Sequence, residues 1–427
     1  MMKIAMPTPV VWILEQLHDA GYEAYIVGGC VRDSLLHKKP HDWDICTSAK
    51  PEEILDVFKD QKTIQTGIKY GTVTIVLDQS SYEITTYRID GVYSDGRHPD
   101  NVEYTSALTE DLKRRDFTIN AMAYNYDDGL IDPFHGLIDL RTKILNCVGS
   151  ACDRFAEDEL RRFRAIRFAL KYNLQLGNDV LENITLNCGR VSQLSAERIQ
   201  GELNKIFGLP FDGWRLEDGY ALFATLEYLL GAYGIHNINL FIPKVIRELI
   251  HTENDLQLRL ALWFQNTQGL ENILFEQLKY PRRMVQEIMQ IRDLLKHPLI
   301  IFTNANQKKQ GDNSLQHETG LTIAQALLFQ YDADLIERVC WFYNNMYFEV
   351  EWFLWLPKLI RKVDPERRPY RISHLKINGY QLKDIGLVGP EIGHTLRRLL
   401  TDCIMQKVNN TYDELLERTK VYAAEKE

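Results

Sequence analysis

The sequence predicts an α+β domain at the N-terminus, with a mixed sheet and flanking helices, followed by an all-α remainder. Short β-prone runs, separated by glycines, prolines and charged residues, occupy residues 24–27, 44–46, 71–77 and 82–87. From residue 153 to the C-terminus, leucine-rich helical periodicity dominates. The 427 residues are enough for roughly two to four compact units.

Two segments between these elements are predicted to be loops. Residues 88–101 (RIDGVYSDGRHPDN) are rich in turn formers and poor in apolar side chains, which predicts a mobile surface loop. Residues 302–320 (FTNANQKKQGDNSLQHETG) are polar along most of their length and predict a long loop or linker.

The N-terminal segment MMKIAMPTPVVWILEQL is predicted to form an amphipathic helix. It lacks a basic cluster and Glu15 interrupts its apolar run, so it does not have the pattern of a signal peptide. Apolar runs of the roughly 18–20 residues that a bilayer span requires are absent from the sequence. We therefore expect no association with a membrane.

Charge and cysteine content limit the classes of function. The net charge of −9 argues against a chain covered uniformly by nucleic-acid-binding cations, but it leaves room for locally basic surfaces. The seven cysteines are scattered, and the close pair Cys147 and Cys152 has no nearby His or Cys pair to complete a zinc site. Reduced thiols in the cytoplasm are the simplest interpretation.

The first segment with chemical meaning is GGCVRD (28–33), directly after the predicted strand 24–27. Gly28 and Gly29 at a strand-to-helix turn let a phosphate approach the backbone, because neither residue has a Cβ atom. The start of the next helix offers free N–H groups, and Arg32 adds a forked cation suited to phosphate. Taken alone, such a glycine pair is as consistent with a purely structural turn as with a phosphate-binding site.

The second segment is Asp42-Trp43-Asp44. In a strand, Asp42 and Asp44 would point to the same side, and two such carboxylates repel unless a hard divalent cation such as Mg²⁺ lies between them. Glu83, in the predicted strand 82–87, is a candidate third carboxylate on the face shared with residues 85 and 87. The alternative is that all three are solvated surface acids.

Two further segments combine basic and apolar residues. In KRRDFTINA (113–121), Arg115 could neutralise phosphate, and Asp116 or Asn120 could bind a ribose hydroxyl. In EDELRRFRAIRF (157–168), Asp158 and Arg161 are neighbours at i and i+3 of a predicted helix. Arg161, Arg164 and Arg167 recur every third residue there, and a surface helix with salt bridges is the alternative interpretation.

In this order and spacing, the four segments resemble the class II tRNA nucleotidyltransferases and bacterial poly(A) polymerases, with the CCA-adding members most similar. DPFHGLIDL (132–140) and SAERIQGELNKI (195–206) also look like family motifs. The resemblance is dense between residues 20 and 210 and returns weakly at 376–393. The segment 88–101 is similar to a flexible loop of CCA-adding members that relatives adding only A lack.

The resemblance implies an elongated molecule with a polymerase-β-like nucleotidyltransferase head and an all-α neck, body and tail. The expected boundaries are 1–147 for the head, 148–210 for the neck with its nucleotide-templating helix, 211–320 for the body and 321–427 for a tRNA-binding tail. It also implies template-independent addition of C, C and A to the 3′ end of tRNA from CTP and ATP. Attack of the tRNA 3′-hydroxyl on the α-phosphate would be assisted by two metal ions and would release pyrophosphate.

Site residues follow from the same resemblance. Asp42 and Asp44 are implied to bind Mg²⁺ and, with Glu83, to form the catalytic set. The residues expected to bind the incoming nucleotide are Gly28, Gly29, Arg32, Arg115, Asp116, Asn120, Asp158, Arg161, Arg164 and Arg167.

The chemistry of Asp158 and Arg161 agrees with a role in base recognition. An ionised Asp only accepts hydrogen bonds and an Arg only donates them. Cytosine and adenine both present an amino donor beside a ring-nitrogen acceptor, whereas uracil and guanine present a carbonyl beside an N–H group. Admitting the wrong base would leave buried polar groups unpaired, at a cost of about 1–3 kcal/mol each.

Candidate RNA contacts lie in a basic stretch near the C-terminus. Arg367, Arg368 and Arg371 belong to a run of seven cations between residues 358 and 376 that contains only two acids. Such a cluster suits a phosphate backbone, although a solvated helix end is equally consistent with it. No obligate protein partner is indicated.

Three alternatives stay open on sequence alone. The nearest is an enzyme that adds only A to tRNA, or a bacterial poly(A) polymerase. The others are a catalytically silent RNA-binding protein and a nucleotidyltransferase acting on a small molecule.

Overall fold

The computed structural model describes residues 3–91, 101–186, 190–211, 216–236, 238, 242–250, 252–301, 313–346 and 352–424. The chain divides into two compact units, Met1–Ile238 and Asn239–Glu427. The first unit contains the sheet and the second is helical, which confirms the predicted fold class of an α+β head followed by an all-α remainder.

The sheet of the first unit has seven strands in the order β3-β4-β5-β2-β1-β8-β9. Strands β2 and β5 pair in parallel and the other neighbours are antiparallel, so the sheet is mixed as predicted. Two small two-stranded sheets, β6-β7 and β10-β11, accompany it. The strands are β1 (Ala24–Val27), β2 (Ile45–Thr47), β3 (Lys62–Ile64), β4 (Thr72–Leu77), β5 (Ser80–Thr86), β6 (Arg88–Asp90), β7 (Val102–Tyr104), β8 (Ala123–Asn125), β9 (Gly129–Ile131), β10 (Ile144–Leu145) and β11 (Gln175–Leu176).

Strand β1 lies between β2 and β8, and all four of its residues are buried. Its continuous apolar run suits a strand covered on both faces, where alternation with polar residues is not needed. The chain leaves β1 at Gly28, whose N–H donates to the Met122 carbonyl at 2.9 Å. The central strand therefore holds the glycine turn against the segment that leads into β8.

The helices of the first unit flank the sheet and continue beyond it. They are α1 (Thr8–Asp19), α2 (Gly29–Leu35), α3 (Pro51–Val57), α4 (Leu108–Lys113), α5 (Gly136–Thr142), α6 (Ala151–Glu157), α7 (Leu160–Tyr172), α8 (Asn178–Leu186), α9 (Ala196–Phe207) and α10 (Leu216–Tyr233). Helix α1 confirms the predicted amphipathic N-terminal helix and buries Val10, Ile13, Leu14 and Leu17.

The second unit consists of helices in the described residues. They are α11 (Ile242–Ile250), α12 (Leu256–Trp263), α13 (Leu270–Asn272), α14 (Arg282–Leu295), α15 (Pro298–Ile301), α16 (Asn313–Gln330), α17 (Ala333–Met346), α18 (Trp352–Ile360), α19 (Gly379–Asp384), α20 (Pro390–Ile404) and α21 (Tyr412–Ala424). None of the helices in the described ranges combines the length and apolar character that crossing a bilayer requires.

Both loop predictions need correction. Residues 88–90 form β6, which pairs with β7, so only the middle of the predicted loop is left, and residues 92–100 lie outside the described part of the chain. Residues 302–312 lie outside the described part of the chain, and residues 313–320 belong to helix α16 rather than to a linker. Packing explains this helix, because Gly320 lies against Leu359 of α18 and Leu321 is buried.

Two strand boundaries also differ from the sequence prediction. Strand β2 begins at Ile45, so Asp42 and Asp44 precede the strand rather than alternate within it. Strand β5 ends at Thr86, one residue earlier than predicted. Tyr87 is buried, so Tyr87 does not share the solvent-exposed face of Glu83. The end of a short strand is set by where its neighbours stop pairing, which local pattern does not specify.

Candidate active site

A cavity of about 1140 Å³ opens in the first unit, where the glycine turn, the acidic segment and helix α7 converge. Every residue predicted to act in catalysis or nucleotide binding lines it. These residues are Gly28, Gly29, Arg32, Asp42, Asp44, Glu83, Arg115, Asp116, Asn120, Asp158, Arg161, Arg164 and Arg167.

Gly28 forms the bend directly before the N-terminus of helix α2, with φ of +75° and ψ of −117°. Side chains avoid this region of backbone conformation, so glycine is favoured here. A Cβ atom at this position would lie 2.9 Å from Nη1 of Arg115 and 3.3 Å from the carbonyl oxygen of Asn120. The missing side chain therefore leaves room for the Arg115 guanidinium beside the bend.

Arg32 projects from the middle of α2 and is 5% exposed. Its Nη1 donates to Oδ1 of Asn120, and its Nε donates to Oδ1 of Asp33 at 2.9 Å. The guanidinium also lies 4.4 Å from the ring centre of Tyr172, within the range of a cation–π contact. These contacts hold a buried cation in one orientation along the wall of the cavity.

Asp42 and Asp44 lie in the segment that leads into β2, where Asp42 is exposed and Asp44 is half-buried. The Asp44 carbonyl accepts a 2.9 Å hydrogen bond from the N–H of Val27, which fixes the segment next to β1. Burial, together with repulsion from Asp42 and Glu83, raises the pKa of Asp44 to about 6, although Arg115 acts in the opposite direction. Asp42 and Glu83 therefore both act electrostatically on Asp44.

The chemistry of this carboxylate pair fits a divalent cation. Asp42 and Glu83 add to the burial that raises the pKa of Asp44, so a cation beside the carboxylates would favour their charged forms, and hard cations prefer carboxylate oxygens. Within the described residues, no cluster of three or more His, Cys, Asp or Glu side chains has the arrangement of a metal site. The participation of Glu83 as a third ligand therefore stays a prediction.

Asp116 is 7% exposed and faces the cavity from the segment after α4. Its carboxylate accepts hydrogen bonds from the N–H of Phe117 at 2.8 Å, from Nδ2 of Asn120 at 2.9 Å and from Nε of Arg164 at 2.9 Å. Burial alone would raise the pKa of Asp116, but Arg164, Arg161 and Asn120 outweigh it and hold the pKa well below its usual range. The side chain is thus a fixed, charged acceptor.

The prediction that Asp158 and Arg161 are neighbours on one continuous helix is wrong. The helix breaks at Asp158, which is extended with φ of −146° between α6 and α7. Nη1 of Arg161 donates instead to Oε2 of Glu157 at 2.6 Å, and the Asp158 carboxylate accepts from Arg198. The predicted i, i+3 relation assumed one uninterrupted helix. Because the helix breaks at Asp158, the two side chains have different partners.

Sequence reasoning missed the contribution of helix α9. Arg198 and Lys205 line the cavity, and Glu202 accepts hydrogen bonds from Arg167 at 2.6 Å and Lys205 at 3.0 Å. These three residues recur at i, i+4 and i+7, so they share one face of α9. The signal was present in SAERIQGELNKI, as charged residues at helical spacing.

Phe168 was missed as well. Its ring lies 4.3 Å from the guanidinium carbon of Arg167 and 5.3 Å from those of Arg32 and Arg164. Three arginines that line the cavity therefore surround one aromatic ring on α7. In the sequence, Phe168 looked like part of the apolar face of that helix.

The candidate RNA-binding residues lie in the second unit. Arg367 is 89% exposed, with Asp364 at 3.9 Å. Arg368 pairs with Glu318, and Arg371 pairs with Asp332 at 2.8 Å. Acidic side chains thus offset part of the positive charge that the sequence concentrates in this stretch.

Comparisons with known proteins agree with this geometry. Residues 24–146 match the poly A polymerase head domain. The chain is 50% identical to the CCA-adding enzyme of Lactobacillus delbrueckii subsp. bulgaricus over 194 residues, which are 45% of this chain and 48% of that protein. It is 48% identical to the CCA-adding enzyme of Oceanobacillus iheyensis over 195 residues, 46% of this chain and 48% of that protein. The matched region thus spans about half the length of these curated relatives.

Two solved structures extend the comparison over nearly the whole chain. The CCA-adding enzyme of Bacillus stearothermophilus in complex with CTP is 27% identical, has a TM-score of 0.72, and is matched over 98% of this chain and 100% of its own. The Thermotoga maritima CCA-adding enzyme complexed with tRNA is 19% identical with a TM-score of 0.62, over 98% of this chain and 97% of its own, and shares the fold. These matches confirm the resemblance predicted from the sequence segments.

Proposed function

We propose that this chain adds C, C and A to the 3′ end of tRNA without a nucleic-acid template. CTP and ATP are the substrates and pyrophosphate is released. The observation that carries the proposal is that the acidic pair, the phosphate-facing arginines and the base-reading side chains all line one cavity. The CTP complex of the similar Bacillus stearothermophilus enzyme supports it.

In this proposal the cavity binds the nucleotide in three parts. Arg32 and Arg115, beside the Gly28 bend, neutralise the triphosphate, because forked guanidinium groups suit phosphate oxygens. Asp116 accepts a hydrogen bond from a ribose hydroxyl. Asp158 accepts from the exocyclic amino group of the base, and Arg161 donates to the adjacent ring nitrogen.

Asp42 and Asp44 would hold Mg²⁺, which supplies charge neutralisation for the triphosphate and the attacking hydroxyl. The reaction joins the 3′-oxygen of the tRNA to the α-phosphorus and breaks the bond from that phosphorus to the bridging oxygen of the β-phosphate. The protein contributes mainly position and charge, as expected for phosphoryl transfer. Buried arginines along the wall keep these groups aligned.

The proposal also covers the division of the chain into domains, with tRNA bound by the last of them, and the cellular location of the enzyme. A head at 1–147, a neck at 148–210, a body at 211–320 and a tRNA-binding tail at 321–427 would divide the work between nucleotide and RNA. A cytoplasmic location is supported by the cysteines, because each of the six in the described residues is a free thiol.

The test is nucleotide incorporation into tRNA that lacks its 3′ CCA, with CTP and ATP supplied separately and together in the presence of Mg²⁺. We expect addition of two C residues from CTP and of a final A when both are present. Asp42→Ala should abolish incorporation and leave tRNA affinity nearly unchanged, since it removes a carboxylate but no cation. Asp60→Ala, an exposed acid between α3 and β3, serves as the matched control.

The outcome separates the proposal from its rivals. Incorporation of A alone would indicate an A-adding enzyme or a poly(A) polymerase. Wild-type protein as inactive as the Asp42→Ala variant, with tRNA still bound, would indicate an RNA-binding protein without catalysis. Either result would overturn the proposal of CCA addition.

A further inference from the structure

Arg198 holds the Asp158 carboxylate from a separate helix. Its Nη2 lies 2.9 Å from Oδ1 and 2.8 Å from Oδ2 of Asp158, so one guanidinium nitrogen contacts both oxygens. The two side chains are only 16% and 14% exposed, respectively. Because the pair is largely shielded from water, its geometry is held more firmly than that of an exposed ion pair.

The same carboxylate has a third partner. The N–H of Leu160 donates to Oδ1 of Asp158 at 2.9 Å, from the first turn of α7. A carboxylate offers about four acceptor positions, so these three contacts leave roughly one for a ligand. The remaining acceptor position points in a direction that Arg198 and Leu160 together determine.

Helix α9 supports this arrangement a second time. One turn after Arg198, Glu202 accepts from Nε of Arg167 at 2.6 Å, so α9 also holds a side chain of α7 that lines the cavity. Glu202 is 2% exposed. Two ion pairs, both largely shielded from water, therefore connect one face of α9 to Asp158 and to Arg167 of α7.

We propose that Arg198 is a positioning residue for nucleotide selection, which acts by orienting the Asp158 carboxylate toward the base. The inference rests on the proposed function, in which Asp158 reads the amino group of cytosine and adenine. A single free acceptor position fits one amino donor. A carboxylate released from Arg198 could rotate and accept the ring N–H of uracil or guanine as well.

The test is equilibrium binding of CTP and UTP, and of ATP and GTP, to the full chain in Mg²⁺ without RNA. Arg198→Met keeps much of the aliphatic stem and removes the donors. We expect the ratio of UTP to CTP dissociation constants to fall about tenfold or more, because discrimination depends on leaving the wrong base unpaired. A purely structural role would weaken all four nucleotides equally and leave both ratios unchanged, which would overturn the proposal.

Two further variants show whether Arg198 acts through Asp158. Arg198→Lys keeps the charge but places it on a differently positioned ammonium group, so it should give an intermediate ratio, and it also covers the case in which Arg198→Met fails to fold. The double variant Asp158→Asn with Arg198→Met should have the same ratio as Asp158→Asn alone. An additional loss in the double variant would contradict action through Asp158.

Glu197→Gln is the matched control, because Glu197 is an exposed neighbour on α9, and we expect it to bind as the wild type does. Since the assay needs no RNA and no transfer, its result is distinct from that of the incorporation assay. Normal CCA addition with an unchanged selectivity in Arg198→Met would overturn only this inference. Wild-type protein that binds CTP and UTP equally would overturn it as well.

Discussion

At the scale of single residues, the site depends on a glycine whose backbone and surroundings both exclude a side chain. Gly28 combines a positive φ with the close approach of Arg115 and Asn120. Gly149 has the same φ of +75°, but nothing lies within 4 Å of the position its Cβ would take. Comparing substitutions at Gly28 and Gly149 therefore distinguishes the effect of backbone strain from the effect of displacing a neighbouring side chain.

We expect Gly28→Ala to lower both stability and nucleotide affinity, and Gly149→Ala to lower stability alone. Strain at a position reserved for glycine costs about 1–3 kcal/mol in each variant. Only Gly28→Ala also pushes the Arg115 guanidinium away from the bend, so CTP binding should weaken severalfold. Urea unfolding and CTP titration measure the two effects, and equal CTP affinity in both variants would contradict the role assigned to the bend.

At the scale of elements, helix α7 is linked to the segment after α4 through the ion pair of Asp116 and Arg164. Asp116 follows α4, whereas Arg164 lies in the middle of α7, and the two are 48 positions apart in the chain. The ion pair is shielded on the side of the acid, whose side chain is 8% exposed. It therefore links a residue expected to bind ribose to the helix expected to read the base.

This ion pair should make stability depend on pH in a defined direction. The pKa of Asp116 is depressed in the folded protein, so its contribution is present above the ordinary aspartate value of about 3.9 and is lost as pH falls further. Asp116→Asn should therefore cost about 2 kcal/mol at pH 7, with the difference from wild type shrinking below about pH 4. Urea unfolding from pH 7 to pH 3 measures it.

Asp127→Asn provides the control for that titration. The Asp127 side chain is 82% exposed, so its removal should leave the free energy of unfolding nearly unchanged at every pH. A deficit in Asp116→Asn that stayed constant down to pH 3 would show that weaker packing, rather than charge, explains it.

At the scale of the whole molecule, a net charge of −9 has to be reconciled with a proposed RNA substrate. The arginines of the candidate sites in the two units lie in different surroundings. The cavity of the first unit is lined by several buried arginines beside its acids, whereas the arginines at 367, 368 and 371 in the second unit are paired with acids on its surface. Binding of RNA to that surface would exchange these acids for phosphates.

We expect neutralising Arg367, Arg368 and Arg371 together to weaken tRNA binding and to flatten its salt dependence. Removing one cation that binds a phosphate reduces the slope of log K against log salt by about 0.7–0.9. The matched control carries the same charge change in Lys279, Arg282 and Arg283, which form a second, shorter basic segment of the second unit (KYPRR, 279–283), where we expect a smaller effect. Tail variants with an unchanged salt slope would reject the predicted role of these arginines.

The sequence by itself determined the identity of the site and the class of fold. Glycines after an apolar strand, paired aspartates and two basic segments, in the order that carries the family resemblance, singled out thirteen residues, and the structure brings all thirteen to one cavity. Helical periodicity likewise determined the all-α remainder. Sequence motifs and helical periodicity are local patterns, so they can be recognised without knowledge of the tertiary contacts.

Only the tertiary structure decided which charged groups pair. Asp158 pairs with Arg198, Arg167 pairs with Glu202, and residues 313–320 belong to a helix whose Gly320 lies against Leu359 of α18. Partners 35 or 40 positions apart are equally compatible with many arrangements of the same residues. Ion pairs and helix ends are settled by burial and by the neighbours that the fold supplies, and a local pattern does not contain that information.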